Sequence, residues 1–287
     1  MNPAPWPAPA KLNLFLHVLG RRPDGYHEIQ TVFQLVDLAD SLVILPRADA
    51  AIVRPEGPRE VPEESDLCVR AARRLQAEGR VRQGAEIRVA KRIPVQGGLG
   101  GGSSDAATTL VALNEIWGLR LSVERLAAIG RELGADVPLF VHGRSAWAEG
   151  VGEALTPVDL PDRHFAIVCP GVGVSTAEVF QAPELTRNSA KTTIRGFLKA
   201  GGRNDCEAVV AARHPQVAAA LAWLRRRGEA RLTGTGSCVF AAFADERSAR
   251  SALAGLPSGW SGLVARGLDR SPLQERLAAE RSGGGPG

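Results

Sequence analysis

Pro94-Val95-Gln96-Gly97-Gly98-Leu99-Gly100-Gly101-Gly102-Ser103-Ser104 puts five glycines into six consecutive positions, 97–102. Glycine adopts positive φ and lets the backbone approach a ligand closely, so successive N–H groups here can converge on an anion at a helix N-terminus. The flanks argue for a strand–loop–helix unit and against a linker. Residues 85–93, AEIRVAKRI, read as a strand, and Ala106, Leu110, Leu113 and Trp117 recur at helical spacing behind the loop. Ser103 and Ser104 add capping and hydroxyl donors. The commoner phosphate loops are excluded. Gly97 to Gly102 has the Walker A spacing, but Ser103 stands where that motif needs lysine. Gly98-x-Gly100 is followed three residues later by Ser103, which breaks the dinucleotide fingerprint. The catalytic-loop and metal motifs of protein kinases are also missing. The loop should therefore hold phosphate by backbone and helix dipole, with its cation supplied from elsewhere.

Upstream of the loop, residues 66–78 read as a helix, with Leu67, Ala71 and Leu75 on one side. Residues 11–18, KLNLFLHV, alternate as a half-buried strand that puts Lys11 and Asn13 on one face. Pro-Asp-Gly at 23–25 marks a turn, and TVFQLV (31–36) and SLVILP (41–46) read as two further strands. Residues 2–10, rich in Pro and Ala, cannot be helical throughout. Downstream, Ser122 can cap a helix that Gly134 stops, and the loop GADVP follows. From about residue 153 the pattern changes. A strand at 164–170 precedes helices near 205–212 and 216–227, strands at 229–233 and 237–243 around a GTGS turn, a helix at 246–254 and a strand near 260–266. That late order suggests a split-βαβ sandwich.

A chain of 287 residues has length for two domains. Its 44% hydrophobic and 23% charged content exclude wholesale disorder. No apolar run is long enough to span a membrane. The early run LNLFLHVLG (12–20) contains Asn13 and His17 and no cleavage site follows it, so no signal peptide is expected. The net charge of +4 suits an anionic small substrate as well as nucleic acid. Four lysines (11, 91, 191, 199) stand among 31 arginines, so each lysine carries more information than usual. Cys68, Cys169, Cys206 and Cys238 form no CxxC pair, so neither zinc nor a redox dithiol is expected, and reduced, buried thiols are.

PxxGGLGGGSSDAA at 94–107 resembles the phosphate loop of the GHMP kinases. GADVPLF (134–140) resembles that family's catalytic loop and LTGTGSCVFAAF (232–243) its third motif. The segments PAKLNLFLHVLGRRPDGYHEI (9–29) and PGVGVSTAEVF (170–180) resemble the branch whose substrate carries a cytidyl diphosphate. The resemblance implies an α+β two-domain fold: a ribosomal-protein-like α/β domain over 1–155, and a ferredoxin-like α/β sandwich over 156–287 with a disordered tail at 282–287. It implies a kinase with ATP as co-substrate and Mg²⁺. Asp136 would accept the proton of the acceptor hydroxyl, and Lys11 would keep Asp136 ionised and offset charge on the moving phosphoryl group. For ATP it implies Lys91, Pro94, Val95, Gln96, Gly97, Gly98, Leu99, Gly100, Gly101, Gly102, Ser103 and Ser104. For the substrate it implies Asn13 and Thr176 at the polyol end, and Tyr26 and Phe180 on the two faces of cytosine with His27 at its edge. No metal ligand is fixed; Ser104 is a candidate. Asp66 stands where the family often has Asn near the adenine, and an ionised Asp cannot donate there. The partner expected is a small molecule. Neither nucleic acid nor membrane is expected, and a cytoplasmic monomer or weak homodimer is. Another GHMP small-molecule kinase, or an inactive RNA-binding or regulatory relative, stays open as an alternative.

Overall fold

The spine of the molecule is one 21-residue strand, and everything that reaches the cleft hangs from it. The computed structural model describes residues 4–283. The first half contains strands β1 (Trp6–Arg21), β2 (His27–Arg47) and β3 (Ile52–Glu56), helix α1 (Leu67–Gly79), strand β4 (Gly84–Ala90), and helices α2 (Gly101–Ile116), α3 (Val123–Leu133) and α4 (Val137–His142). Strands β5 (Ala146–Glu149) and β6 (Ala154–Pro157) complete it. The second half contains β7 (His164–Cys169), α5 (Thr176–Gln181), α6 (Ile194–Ala200), α7 (Glu207–Arg213), α8 (Pro215–Arg225) and β8 (Arg231–Leu232). It ends with β9 (Val239–Phe243), α9 (Glu246–Ala252), β10 (Ser261–Leu268) and α10 (Pro272–Gly283).

The two runs read as separate strands, 31–36 and 41–46, are one strand. β2 continues through Asp37 and Asp40 because β1 pairs along its whole length, from Trp6 opposite Leu42 to Arg21 opposite His27. Along its other edge β2 takes β5 at 31–33, β10 at 35–36 and β4 at 41–47. β1 lies at the sheet margin, where Pro7 and Pro9 are tolerated because no ladder bond is asked of them. The expected half-buried strand at 11–18 is buried on both faces. Lys11 and Asn13 are 4% and 2% exposed, because the glycine loop and a turn of the second half cover the face that alternation left to solvent.

In the second half the strand order is β10-β7-β9-β8, all antiparallel. With α7–α8 and α9 as the two crossovers, this is the ferredoxin-like arrangement that the late helix and strand order suggests. Because β10 also pairs β2 at Gly267 and Leu268, the two halves share one continuous sheet. A core cluster lies across the join: Ala10, Leu12, Ile93 and Leu99 meet Phe165, Ile167, Phe240 and Ala265. The division expected after residue 155 falls inside β6, which pairs β5. The last helix returns to the first half, where Leu273 and Leu277 join its core. Ser282 and Gly283, expected in a disordered tail, close α10, with Ser282 Oγ donating to the carbonyls of Ala278 and Ala279. The rest of that tail, 284–287, lies outside the described residues.

The expectation of four reduced cysteines is also corrected. Cys169 and Cys238 form a disulfide. They lie 69 residues apart in sequence, and the antiparallel register of β7 and β9, with Val168 opposite Val239, brings the next pair face to face. Cys68 and Cys206 remain free and buried, and burial pushes both thiols up, Cys206 to about 12. Among the described residues no helix is long and apolar enough to cross a membrane.

Candidate active site

A cleft of about 880 Å³ opens where the two halves meet. Its floor is the glycine loop. Gly98 and Gly100 take φ of +76° and +73°, and Gly100 is the residue before α2, so the loop delivers its backbone to a helix N-terminus. The loop is braced from behind by the second half. Cys238 N donates to Gly97 O (3.1 Å), Ser237 N to Gln96 O (3.3 Å) and Thr233 Oγ1 to Gly98 O (3.3 Å). A Cβ on Gly98 would lie 2.2 Å from Thr233 O, so only glycine lets the two segments approach this closely. The strand side also contributes, through Lys11 N donating to Leu99 O at 3.0 Å.

Lys11 and Asp136, 125 positions apart in sequence, meet here with Nζ 3.3 Å from Oδ2. β1 carries Lys11 inward. Its ammonium also donates to Asn13 Oδ1 (2.5 Å) and stands 5.3 Å from the centre of the Phe33 ring. Asn13 is fixed in turn by donating to Thr31 Oγ1 (2.9 Å), while its backbone N–H donates to Thr233 Oγ1 (3.0 Å). Asp136 precedes α4 but makes no capping bond, so its carboxylate is free to face the cleft, with its side chain 31% exposed. A buried ammonium beside a half-exposed carboxylate leaves the carboxylate's remaining lone pairs for an acceptor hydroxyl.

Lys91 lines the cleft between two carboxylates, Asp40 and Asp105, with Asp105 Oδ2 at 2.7 Å. Asp40 also accepts from the backbone N–H groups of Arg92 (2.5 Å) and Ile93 (2.8 Å), which ties β2 to the strand-to-loop junction. Burial alone would lower the Lys91 pKa, but the two carboxylates raise it. Asp105 is pushed up to about 7, first by burial and then by Asp40, against the pull of Lys91. Its Oδ1 is buried with no partner and the residue lines the cleft. Ser104 Oγ also lacks a partner, but Ser104 is fully buried and does not line the cleft. An unpartnered carboxylate oxygen on a residue that lines the cleft is the kind of donor a hard divalent cation takes, so Asp105 fits Mg²⁺, whereas Ser104 does not line the cleft.

At the far end, Tyr26, His27 and Phe180 line the same cleft. Tyr26 is 64% exposed, while the rings of His27 and Phe180 lie 5.1 Å apart and 29° from parallel. Thr176 begins α5 and shares a hydrogen bond of 2.8 Å with Thr235 of the GTGS turn. Asp66 lines the cleft, but its carboxylate caps α1 through Cys68 N (2.7 Å) and pairs with Arg54 (3.1 Å), so it is already engaged. Three functional neighbours gave no signal in sequence. Asp40 and Asp105 reach Lys91 across 51 and 14 positions, and Arg187 reaches His27 across 160.

Comparison with known proteins agrees with this geometry. The family model described as "GHMP kinases N terminal domain" matches residues 66–144, and "GHMP kinases C terminal" matches 184–262. The 4-diphosphocytidyl-2-C-methyl-D-erythritol kinase of Alkalilimnicola ehrlichii is 56% identical over 276 residues, covering 96% of this chain and 95% of its own. That of Halorhodospira halophila is 55% identical over 282 residues, covering 97% and 98%. Among solved structures, a 4-(cytidine 5'-diphospho)-2C-methyl-D-erythritol kinase superposes with a TM-score of 0.80 at 34% identity, covering 91% of this chain and 98% of that one. A mevalonate kinase shares the fold at a TM-score of 0.67, with 16% identity over 93% and 100% of the two chains. With both halves matched and close relatives alike from end to end, this chain belongs to the 4-diphosphocytidyl-2-C-methyl-D-erythritol kinases of the GHMP family.

Proposed function

We propose that the protein transfers the γ-phosphoryl group of ATP to the 2-hydroxyl of 4-diphosphocytidyl-2-C-methyl-D-erythritol, giving the 2-phosphate and ADP in non-mevalonate isoprenoid precursor biosynthesis. The observation that carries the reading is the Lys11–Asp136 pair beside the glycine loop, with a ring-lined pocket at the other end of the same cleft. The substrate hydroxyl oxygen attacks Pγ in line, its proton passes to Asp136, the new O–Pγ bond forms and the bond from Pγ to the β,γ-bridging oxygen breaks as ADP leaves. No covalent phosphoenzyme is required. Lys11 holds Asp136 ionised, orients the hydroxyl and offsets charge on the equatorial oxygens.

Residues 94–104 hold the triphosphate by backbone N–H groups and the α2 dipole, and Lys91 lies beside it. Mg²⁺ bound with ATP would supply charge neutralisation on the phosphates. Asp105 is the carboxylate we assign to it. Among the described residues there is no cluster of three His, Cys, Asp or Glu, and the nucleotide and water would supply its other ligands. Asn13 and Thr176 bind the polyol, while Tyr26 and Phe180 flank the base and His27 reads its edge. We assign the protein to the cytoplasm, as a monomer or weak homodimer. The test is turnover with ATP, Mg²⁺ and the cytidyl substrate, run beside mevalonate, homoserine and galactose. Consumption of the cytidyl compound alone is expected; turnover of one of the others without it would assign the chain to another acceptor.

A further inference from the structure

Arg187 lies beyond α5 and spends all five of its N–H donors inside the protein. Nη2 donates to the carbonyls of Phe180 (2.9 Å) and Ala182 (2.6 Å), and Nη1 to those of Leu185 (3.0 Å) and Pro183 (3.5 Å). The fifth, on Nε, points at His27 Nε2 at 3.1 Å. A guanidinium has no acceptor and does not lose its proton in proteins. His27 Nε2 must therefore be the unprotonated nitrogen. The proton of the neutral ring sits on Nδ1, and the imidazolium would set one N–H against another. Burial of His27 acts in the same direction, as do the charges of Arg187 and Arg21, and its pKa is lowered. Arg187 does not line the cleft, whereas His27 and Phe180 do. One side chain thus holds both the carbonyl end of the helix that carries Phe180 and the ring that Phe180 stacks on.

We propose that Arg187 is a positioning residue: by fixing the His27 proton on Nδ1 it makes that ring a hydrogen-bond donor toward the substrate base, and so selects cytosine against uracil. The proposal rests on the cytidyl reading of this end of the cleft. The chemistry is a difference at one ring atom. N3 of cytosine is a bare acceptor that Nδ1–H can pair with, whereas N3 of uracil carries a hydrogen that would face Nδ1–H. A site built to hydrogen-bond one partner rejects the other strongly, because its polar groups are left unpaired.

The test compares wild type with Arg187→Met, Arg187→Lys and His27→Ala, measuring kcat and KM on the cytidyl substrate and its uridyl counterpart. ¹⁵N NMR of the imidazole nitrogens runs in parallel. Wild type should prefer the cytidyl compound by on the order of 10²-fold or more, with the His27 proton on Nδ1. Arg187→Met should cut that preference by ~10-fold or more, mainly through KM, and mix the tautomers. Arg187→Lys should recover part of it, since an ammonium can still donate to Nε2. If Arg187→Met raises both KM values equally and leaves the preference intact, Arg187 only caps α5 and the proposal fails. A wild-type proton on Nε2 would also overturn it. If instead wild type shows no preference, or His27→Ala keeps it, the base-reading role of His27 is what fails, and the tautomer measurement still judges Arg187.

Discussion

At one end of the cleft the ligand-facing surface is backbone; at the other it is side chains. The end we assign to phosphate is built from the glycine loop, a helix N-terminus and a buried Lys11, and residues of the second half brace it from behind. The end we assign to the base is an exposed Tyr26, the stacked pair His27 and Phe180, and a six-residue helix whose carbonyl end Arg187 holds. Backbone recognition cannot be tuned by a point change without moving the chain, so it suits what every member of such a family shares, the triphosphate. Side chains can be exchanged one at a time, so they suit what distinguishes the acceptor. Substitutions at the first end should therefore damage catalysis or folding, and those at the second should move KM and choice of base.

Apart from the loss of the carboxylate at 136, the largest effect is expected from Lys11→Met. Removing one group that stabilises transition-state charge costs on the order of 10²–10³ in kcat. Here it also strips Asn13 Oδ1 of its buried donor. Steady-state kinetics and calorimetry should show both a slow enzyme and a lowered Tm; a loss confined to KM would break the contrast between the two ends. Gly98→Ala comes next. Its Cβ would collide with Thr233 O at 2.2 Å, at a φ of +76° that alanine resists. A cost on the order of 1–3 kcal/mol in stability and weaker ATP binding are expected from denaturant titration and nucleotide binding.

Tyr26→Ala should raise KM for the cytidyl substrate by about 5- to 100-fold, the usual worth of one base stack. Tm should stay unchanged, because the ring is 64% exposed. A change in kcat alone would place Tyr26 outside the base pocket. The smallest effect is expected from Asp105→Asn. Two carboxylates share one ammonium in a buried cluster, and burial has pushed Asp105 up to about 7. A carboxyl whose folded pKa is raised above its unfolded value weakens the fold once pH exceeds the unfolded pKa. Neutralising it should raise Tm at pH 8 by a few degrees, about 1 kcal/mol, while the Mg²⁺ concentration needed for half-maximal rate increases. An unchanged Mg²⁺ requirement would remove Asp105 from the metal.

Legibility in the sequence follows the same division. The glycine loop announces itself because backbone recognition needs a composition, and Lys11 and Asp136 stand in motifs long enough to recognise. The ferredoxin-like half was readable from helix and strand order alone. Short or interrupted elements were not. α5 buries only Val179, and β5 and β6 have four residues each, too few to show a period. β2 looks like two strands in sequence because Asp37 and Asp40 interrupt its apolar run, and only the fold shows Asp40 neutralised by Lys91. The Cys169–Cys238 pair and the Arg187–His27 contact depend on strand register and loop return across long separations, for which one sequence carries no signal.

The central claim is that the carboxylate at position 136 takes the acceptor proton. Single-turnover phosphoryl transfer by Asp136→Asn, with ATP and the cytidyl substrate saturating, tests it most directly. The amide keeps the shape of a side chain that makes no capping bond but removes the counter-charge of the buried Lys11 ammonium, so Tm should fall while substrate binding holds and the chemical step slows by ~10²–10⁴. Transfer at the wild-type rate would contradict the claim.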